Sequence, residues 1–218
     1  MKGQVLLVIF LIIFVFTKAK WISDEEDDND SDFDLFLRSI FHHQNLRKHS
    51  PVKQREILEF TEDQRKFQDE ALITHNILRA KHCVPPLILD DEVNTRAQIY
   101  AEFLAINDTT LFHSTDRLGQ FGESLYSIER SRPITNVTGF GEKVTLTWYA
   151  EATLYDYTKP GYAKNIAHFS QIVWKDSERL GVGFAFSKAG RKMFVVTQYG
   201  PPGNYGYAFS TNVLEPTC

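Results

Sequence analysis

Five residues of this 218-residue chain carry side chains suited to chemistry: His75, His113, Glu123, Glu151 and His168. A neutral imidazole is a good ligand for zinc and similar ions, and a carboxylate can orient the imidazole or a bound water. Closed zinc sites use four protein ligands and catalytic ones normally three, so two imidazoles would hold such an ion weakly and reversibly. Taken one at a time, His113, Glu123, Glu151 and His168 each read as structural. His75, in His75-Asn76-Ile77-Leu78-Arg79, reads as a buried or edge histidine next to an Arg near a helix end.

Nucleophilic hydrolysis is the alternative chemistry. Ser170 stands two residues after His168, and Ser114 adjoins His113. A nucleophile is defined by a shared hydrogen bond and an oxyanion hole, which adjacency in sequence does not supply. Neither serine lies in a Gly-x-Ser-x-Gly elbow. A metal-assisted or serine hydrolase at the His/Glu residues stays open beside a non-enzymatic reading.

The elements that must position these groups are legible as periodic patterns. Thr61-Glu62-Asp63-Gln64 matches a capping box and starts a helix to about Lys81, with Phe67, Ala71, Leu72, His75 and Leu78 facing inward. Pro85-Pro86 ends that element. From Asp90 a second helix extends to about Ile106, with Val93, Ala97, Tyr100, Ala101 and Leu104 on one face. Glu142–Tyr155 predicts a third helix, carrying Glu151 near the same face as Trp148. Asn165–Val173 predicts a short fourth. Gly122, before Glu123, suggests a close backbone turn, and Ser127–Gly141 reads as a long loop.

Leu180, Val182, Phe184 and Phe186 alternate at strand spacing. The chain turns at Lys188-Ala189-Gly190-Arg191 and returns over Lys192–Tyr199. Helices ahead of a terminal hairpin favour an α+β sheet over a parallel βαβ fold. Pro201-Pro202-Gly203-Asn204 is a turn with a structural role.

Met1–Ala19 reads as a secretory signal peptide: Lys2 precedes the apolar run Val5–Phe16, and Thr17 and Ala19 suit a cut after Ala19. That run is shorter than the ~20 residues that cross a bilayer, so no transmembrane segment is expected. Sequons at Asn29, Asn107 and Asn136 agree with a secretory route and are candidate glycosylation sites. Residues 20–59 form a charged arm expected to be largely disordered, and 60–218 the folded domain. The acidic part, Lys20–Asp34, holds eight carboxylates, whereas Leu35–Cys218 has 21 Lys/Arg against 20 Asp/Glu. No basic excess supports nucleic-acid binding. His42, His43 and His49 in the arm are a second conceivable metal cluster. The sequence leaves open whether its two cysteines, Cys83 and Cys218, pair.

The order of motifs adds a resemblance. His75-Asn76-x-x-Arg79, Val84-Pro85-Pro86-Leu87, Gly122-Glu123-Ser124-Leu125, Trp148-Tyr149, His168–Trp174 and Tyr199–Asn204 resemble the signatures of the CAP superfamily, over roughly Gln64 to Pro216. Most similar is the cysteine-poor, Golgi-associated plant-pathogenesis-related type. The resemblance implies a three-layer αβα sandwich with helices covering a small, mostly antiparallel sheet. It implies that His113, Glu123, Glu151 and His168 line one polar cavity in which His113 and His168 are the ligands of a weakly held divalent cation, zinc or similar, with no obligatory cofactor. It also implies a secreted, non-enzymatic recognition protein whose ligands include sterols or other lipids, or an extracellular protein partner. A ligand acting through the charged arm is a further alternative. This chain departs from the pattern at Ser124, Ala167 and Thr197, and Lys2 stands where N-myristoylation requires Gly.

Overall fold

The computed structural model describes residues 58–218 other than 109, 116 and 118. The signal-peptide, Asn29, His42, His43 and His49 expectations, and nearly all of the arm, lie outside the described residues.

Helix α1 (Glu62–Lys81) begins where expected: the Thr61 hydroxyl accepts from the Gln64 N–H, and the Gln64 side chain accepts from the Thr61 N–H. Strand β1 (Ile88–Leu89) leads into α2 (Asp91–Asn107), capped by the Asp90 carboxylate on the Glu92 and Val93 N–H groups. Strand β2 (Gly122–Glu129) follows, then α3 (Phe140–Tyr149), α4 (Ala167–Ile172), β3 (Arg179–Phe186), β4 (Lys192–Gly200) and α5 (Phe209–Asn212). The sheet runs β1-β3-β4-β2, with β1 parallel to β3 and the other two pairings antiparallel.

Strand alternation separates two packing layers. Leu180, Val182 and Phe184 of β3, with Met193, Val195 and Tyr199 of β4, join the core built on Phe67, Leu78, Trp148 and Phe169. Gly181 and Gly183 face the other way, and a Cβ at either would come within 2.3 Å of the α2 backbone at Val93 or Gln98. These two positions need glycine because α2 lies directly on the strand. An αβα sandwich results.

The β3 edge is completed by amide side chains, since β1 covers only Arg179 and Leu180. Asn94 Oδ1 accepts from the Val182 N–H, Gln68 donates to the Val182 carbonyl, and Gln98 both accepts from and donates to Phe184. Backbone groups that would be left bare are thereby satisfied.

Several expectations are corrected. Glu142–Tyr155 is not one helix: α3 ends at Tyr149 and tightens into a 3₁₀ segment, Ala150–Leu154, which carries Glu151. The fourth helix is likewise split, with a 3₁₀ turn over Lys164–Ile166 ahead of α4. Gly122 and Glu123 open a strand rather than a turn, because β2 pairs with β4 along its whole length, and Ser127–Glu129 belong to that strand and not to a loop. The question the sequence leaves open is answered: Cys83 and Cys218 form a disulfide, with Cα atoms 5.6 Å apart.

Candidate functional site: two histidine–glutamate pairs

Glu123 sits on β2 opposite Gln198 of β4. Its side chain is fully buried, while that of His113, in the segment after α2, is 54% exposed. His113 Nδ1 lies 2.8 Å from Glu123 Oε1. Ser114 donates its N–H to Oε1 and its hydroxyl to Oε2, at 3.0 and 2.7 Å, and Gln198 Nε2 donates to Oε2 at 3.0 Å. Burial pushes the Glu123 carboxyl up, but hydrogen bonds from His113, Ser114 and Gln198 outweigh it and hold the group below its ordinary range. It is therefore a carboxylate at neutral pH, and His113 donates to it through Nδ1–H.

The second pair is built by a helix start. Glu151 Oε2 accepts from the His168 and Phe169 N–H groups at 2.9 and 3.2 Å, satisfying the first free donors of α4. Its Oε1 lies 2.6 Å from His168 Nδ1. The 3₁₀ tightening after Tyr149 brings Glu151 to that position. Trp148 stacks on the other side of the imidazole, centroids 5.7 Å apart and planes at 17°.

Both imidazoles are thus held at Nδ1, and neither Nε2 has a protein partner among the described residues. With Nδ1 carrying the proton, Nε2 presents a lone pair outward, the arrangement that carboxylates impose on metal-binding histidines. Glu123 and Tyr126 are three residues apart on β2 and project to opposite faces, and Tyr126 meets Trp148 edge-on. The two pairs therefore bracket β2, an edge strand of the sheet. Among the described residues no group of three or more His, Cys, Asp or Glu side chains is placed to hold one metal ion.

The serines are committed elsewhere. Ser170 is fully buried and its hydroxyl lies 2.6 Å from Asn204 Oδ1. The Ser114 hydroxyl donates to Glu123, not to His113. His75 is a core residue: Nδ1 bonds the Ala71 carbonyl and Nε2 the Tyr199 hydroxyl, and burial depresses its pKa to about 4. Of the sequons, Asn136 is exposed, its Oδ1 accepting from the Thr138 N–H. Asn107 is exposed at the end of α2, its Nδ2 donating to the Phe103 carbonyl.

Sequence reasoning passed over Gln198 and the second role of Ser114, whose signal was the strand pairing that it lacked. It also passed over Gln171, whose side chain joins the Gly203 N–H to the Ser177 hydroxyl and which fills the space left by Gly122 and Gly203.

The sandwich and the paired His/Glu groups define the class, and the chain belongs to the CAP family (Cysteine-rich secretory protein family), whose profile matches residues 72–199. It is 38% identical over 156 residues to Golgi-associated plant pathogenesis-related protein 1 of Homo sapiens, covering 70% of this chain and 95% of that one. It is 36% identical over 146 residues to pathogenesis-related protein 1A of Nicotiana tabacum, covering 63% and 77%. Among solved structures, that of NaASP2 with Zn2+ shares the fold at a TM-score of 0.54 and 19% identity, covering 76% and 90%. No helix among the described residues is long and apolar enough to cross a membrane.

Proposed function

We propose that this chain is a secreted, non-enzymatic recognition protein whose His113/Glu123 and His168/Glu151 pairs hold a divalent cation weakly and whose ligands are sterols or other lipids. One observation carries the reading: each imidazole is locked by a carboxylate at Nδ1, with Nε2 open and no nucleophile attached to it. A serine or cysteine hydrolase would need a hydroxyl or thiol sharing a proton with imidazole. Here Ser114 and Ser170 bond other groups, and both cysteines are in a disulfide.

Each open Nε2 offers a lone pair to an ion otherwise completed by water, with Glu123 and Glu151 as outer supports. Apolar side chains stand exposed nearby. Leu154 follows Glu151 on the same 3₁₀ segment, and Tyr205 follows Asn204, which donates to the Ala167 carbonyl beside His168. Tyr205 stacks on Tyr207, and Tyr162 packs on Phe209. Exposed apolar surface of this kind favours a lipid over a polar metabolite.

The test is mass spectrometry of metals and lipids together on protein collected from the culture medium. Sterol or fatty lipid recovered in near-stoichiometric amount supports the proposal. Protein that stays in the cell pellet with Met1 intact, or that hydrolyses an ester with loss of activity on His168→Ala, contradicts it.

A further inference from the structure

The body of this chain is nearly charge-balanced, yet one end of the sheet is not. The segment leaving β2 carries Arg130 and Arg132, and the β3–β4 turn carries Lys188 and Arg191. Two backbone bonds tie these segments together: the Arg130 N–H donates to the Arg191 carbonyl and the Ile134 N–H to the Gly190 carbonyl, each at 2.8 Å. The turn is fixed in turn by the Gly190 N–H on the Ser187 carbonyl at 2.7 Å, with Gly190 at φ 66°. All four cationic residues are exposed, and among the described residues none of them makes an ion pair. Lys192 bridges Asp108 at 3.2 Å, and Glu129, next to Arg130 in sequence, stands opposite Lys192 in the ladder.

Four like charges held on one turn repel one another, and among the described residues no ion pair to any of the four offsets that cost. A bound anion would. Which anion follows from what the cluster lacks. Its neighbours are Ser131, Pro133, Ser187, Ala189 and Gly190, and none of the large exposed apolar residues lies there. A lipid-surface site intersperses cations with side chains that enter the acyl region, and a single-stranded nucleic-acid site presents aromatic faces for bases. Neither is present. Three of the four cations are arginines, whose planar forks match the paired oxygens of a sulfate or carboxylate. Several such groups spaced along one chain would engage the cluster together.

We infer that the Arg130/Arg132/Lys188/Arg191 cluster at the end of the β3–β4 hairpin is a binding site for a sulfated polysaccharide. The site is separate from the His/Glu pairs and does not depend on them.

Heparin serves as the probe, titrated against the full-length protein at several salt concentrations. A variant with all four residues changed to Ser is compared with one in which Lys81, Lys159, Lys164 and Lys175 are changed, which removes the same charge from exposed positions elsewhere. The cluster variant should lose about tenfold or more in affinity, and its slope of log affinity against log salt should fall by about two to four. The control should lose less than about threefold. Both should melt with the parent, and an Arg→Lys version of the cluster should keep part of the affinity because point charge remains. Equal losses in the two variants would overturn the inference, since only net charge would then matter. Tighter binding to vesicles of phosphatidylserine and phosphatidylcholine than to heparin at the same salt would overturn it also.

Discussion

The indole of Trp148 lies nearly parallel to the imidazole of His168, 17° between planes, while Glu151 holds the imidazole's Nδ1 from the other direction. Trp148 is 3% exposed, so its ring is a fixed wall against the imidazole. An ion bound at His168 Nε2 would change the charge beside the indole. Zinc titration should therefore shift tryptophan emission in the parent, and Trp148→Phe should remove most of that change despite the two remaining tryptophans. An unchanged signal in that variant would detach zinc binding from His168.

The disulfide joins residues separated by 135 positions, and further bonds seat the tail it carries. His82 Nδ1 bonds the Leu214 carbonyl and the Cys218 N–H the Lys81 carbonyl. Closing a loop of this length restricts the unfolded chain strongly, so Cys218→Ser should cost about 2–4 kcal/mol in denaturant unfolding. A loss under about 0.5 kcal/mol would mean that the tail is held by its other contacts alone.

His75 gives the domain an acid limit. The unfolded imidazole takes a proton below about pH 6.5, whereas the folded one, buried against Ala71 and Tyr199, resists until about pH 4. Its contribution is complete above pH 6.5 and is lost as pH falls from there toward 4, by up to about 3 kcal/mol. His75→Gln should flatten the stability curve over that window. A parent whose melting temperature stays constant from pH 7 to pH 4 would show that His75 remains accessible to protons.

What the sequence made legible was what periodicity and local caps encode. The Thr61/Gln64 box, the α1 stripe from Phe67 to Leu78 and the alternation along β3 are local, so a single strand of text contains them. β2 was not, because Gly122–Glu129 owes its strand to an eight-residue ladder with a segment some 70 positions away. The split of the third helix depends on Glu151 reaching the start of α4, again a tertiary demand. At the site, the residue types were readable in Glu123, Glu151, His113 and His168. Which carboxylate serves which imidazole was not, since that pairing is set by β2 on one side and a 3₁₀ turn on the other. Arg79 shows the same limit: a residue that reads as a helix-end cation is fully buried, giving hydrogen bonds to the carbonyls of Pro85, Ile172, Trp174 and Ser177, with burial lowering its pKa to about 10.

We propose that the two imidazoles held by Glu123 and Glu151 serve as weak metal ligands. Imidazole binds metal only when neutral, so affinity should fall as the solution is acidified. The most direct measurement is calorimetric titration with zinc on protein lacking residues 20–54, which removes His42, His43 and His49. Binding should be weak and reversible, abolished by His113→Ala with His168→Ala and reduced by a smaller factor by Glu123→Gln. A double-histidine variant that binds zinc as well as its parent would contradict it, and would leave the pairs as structural hydrogen bonds alone.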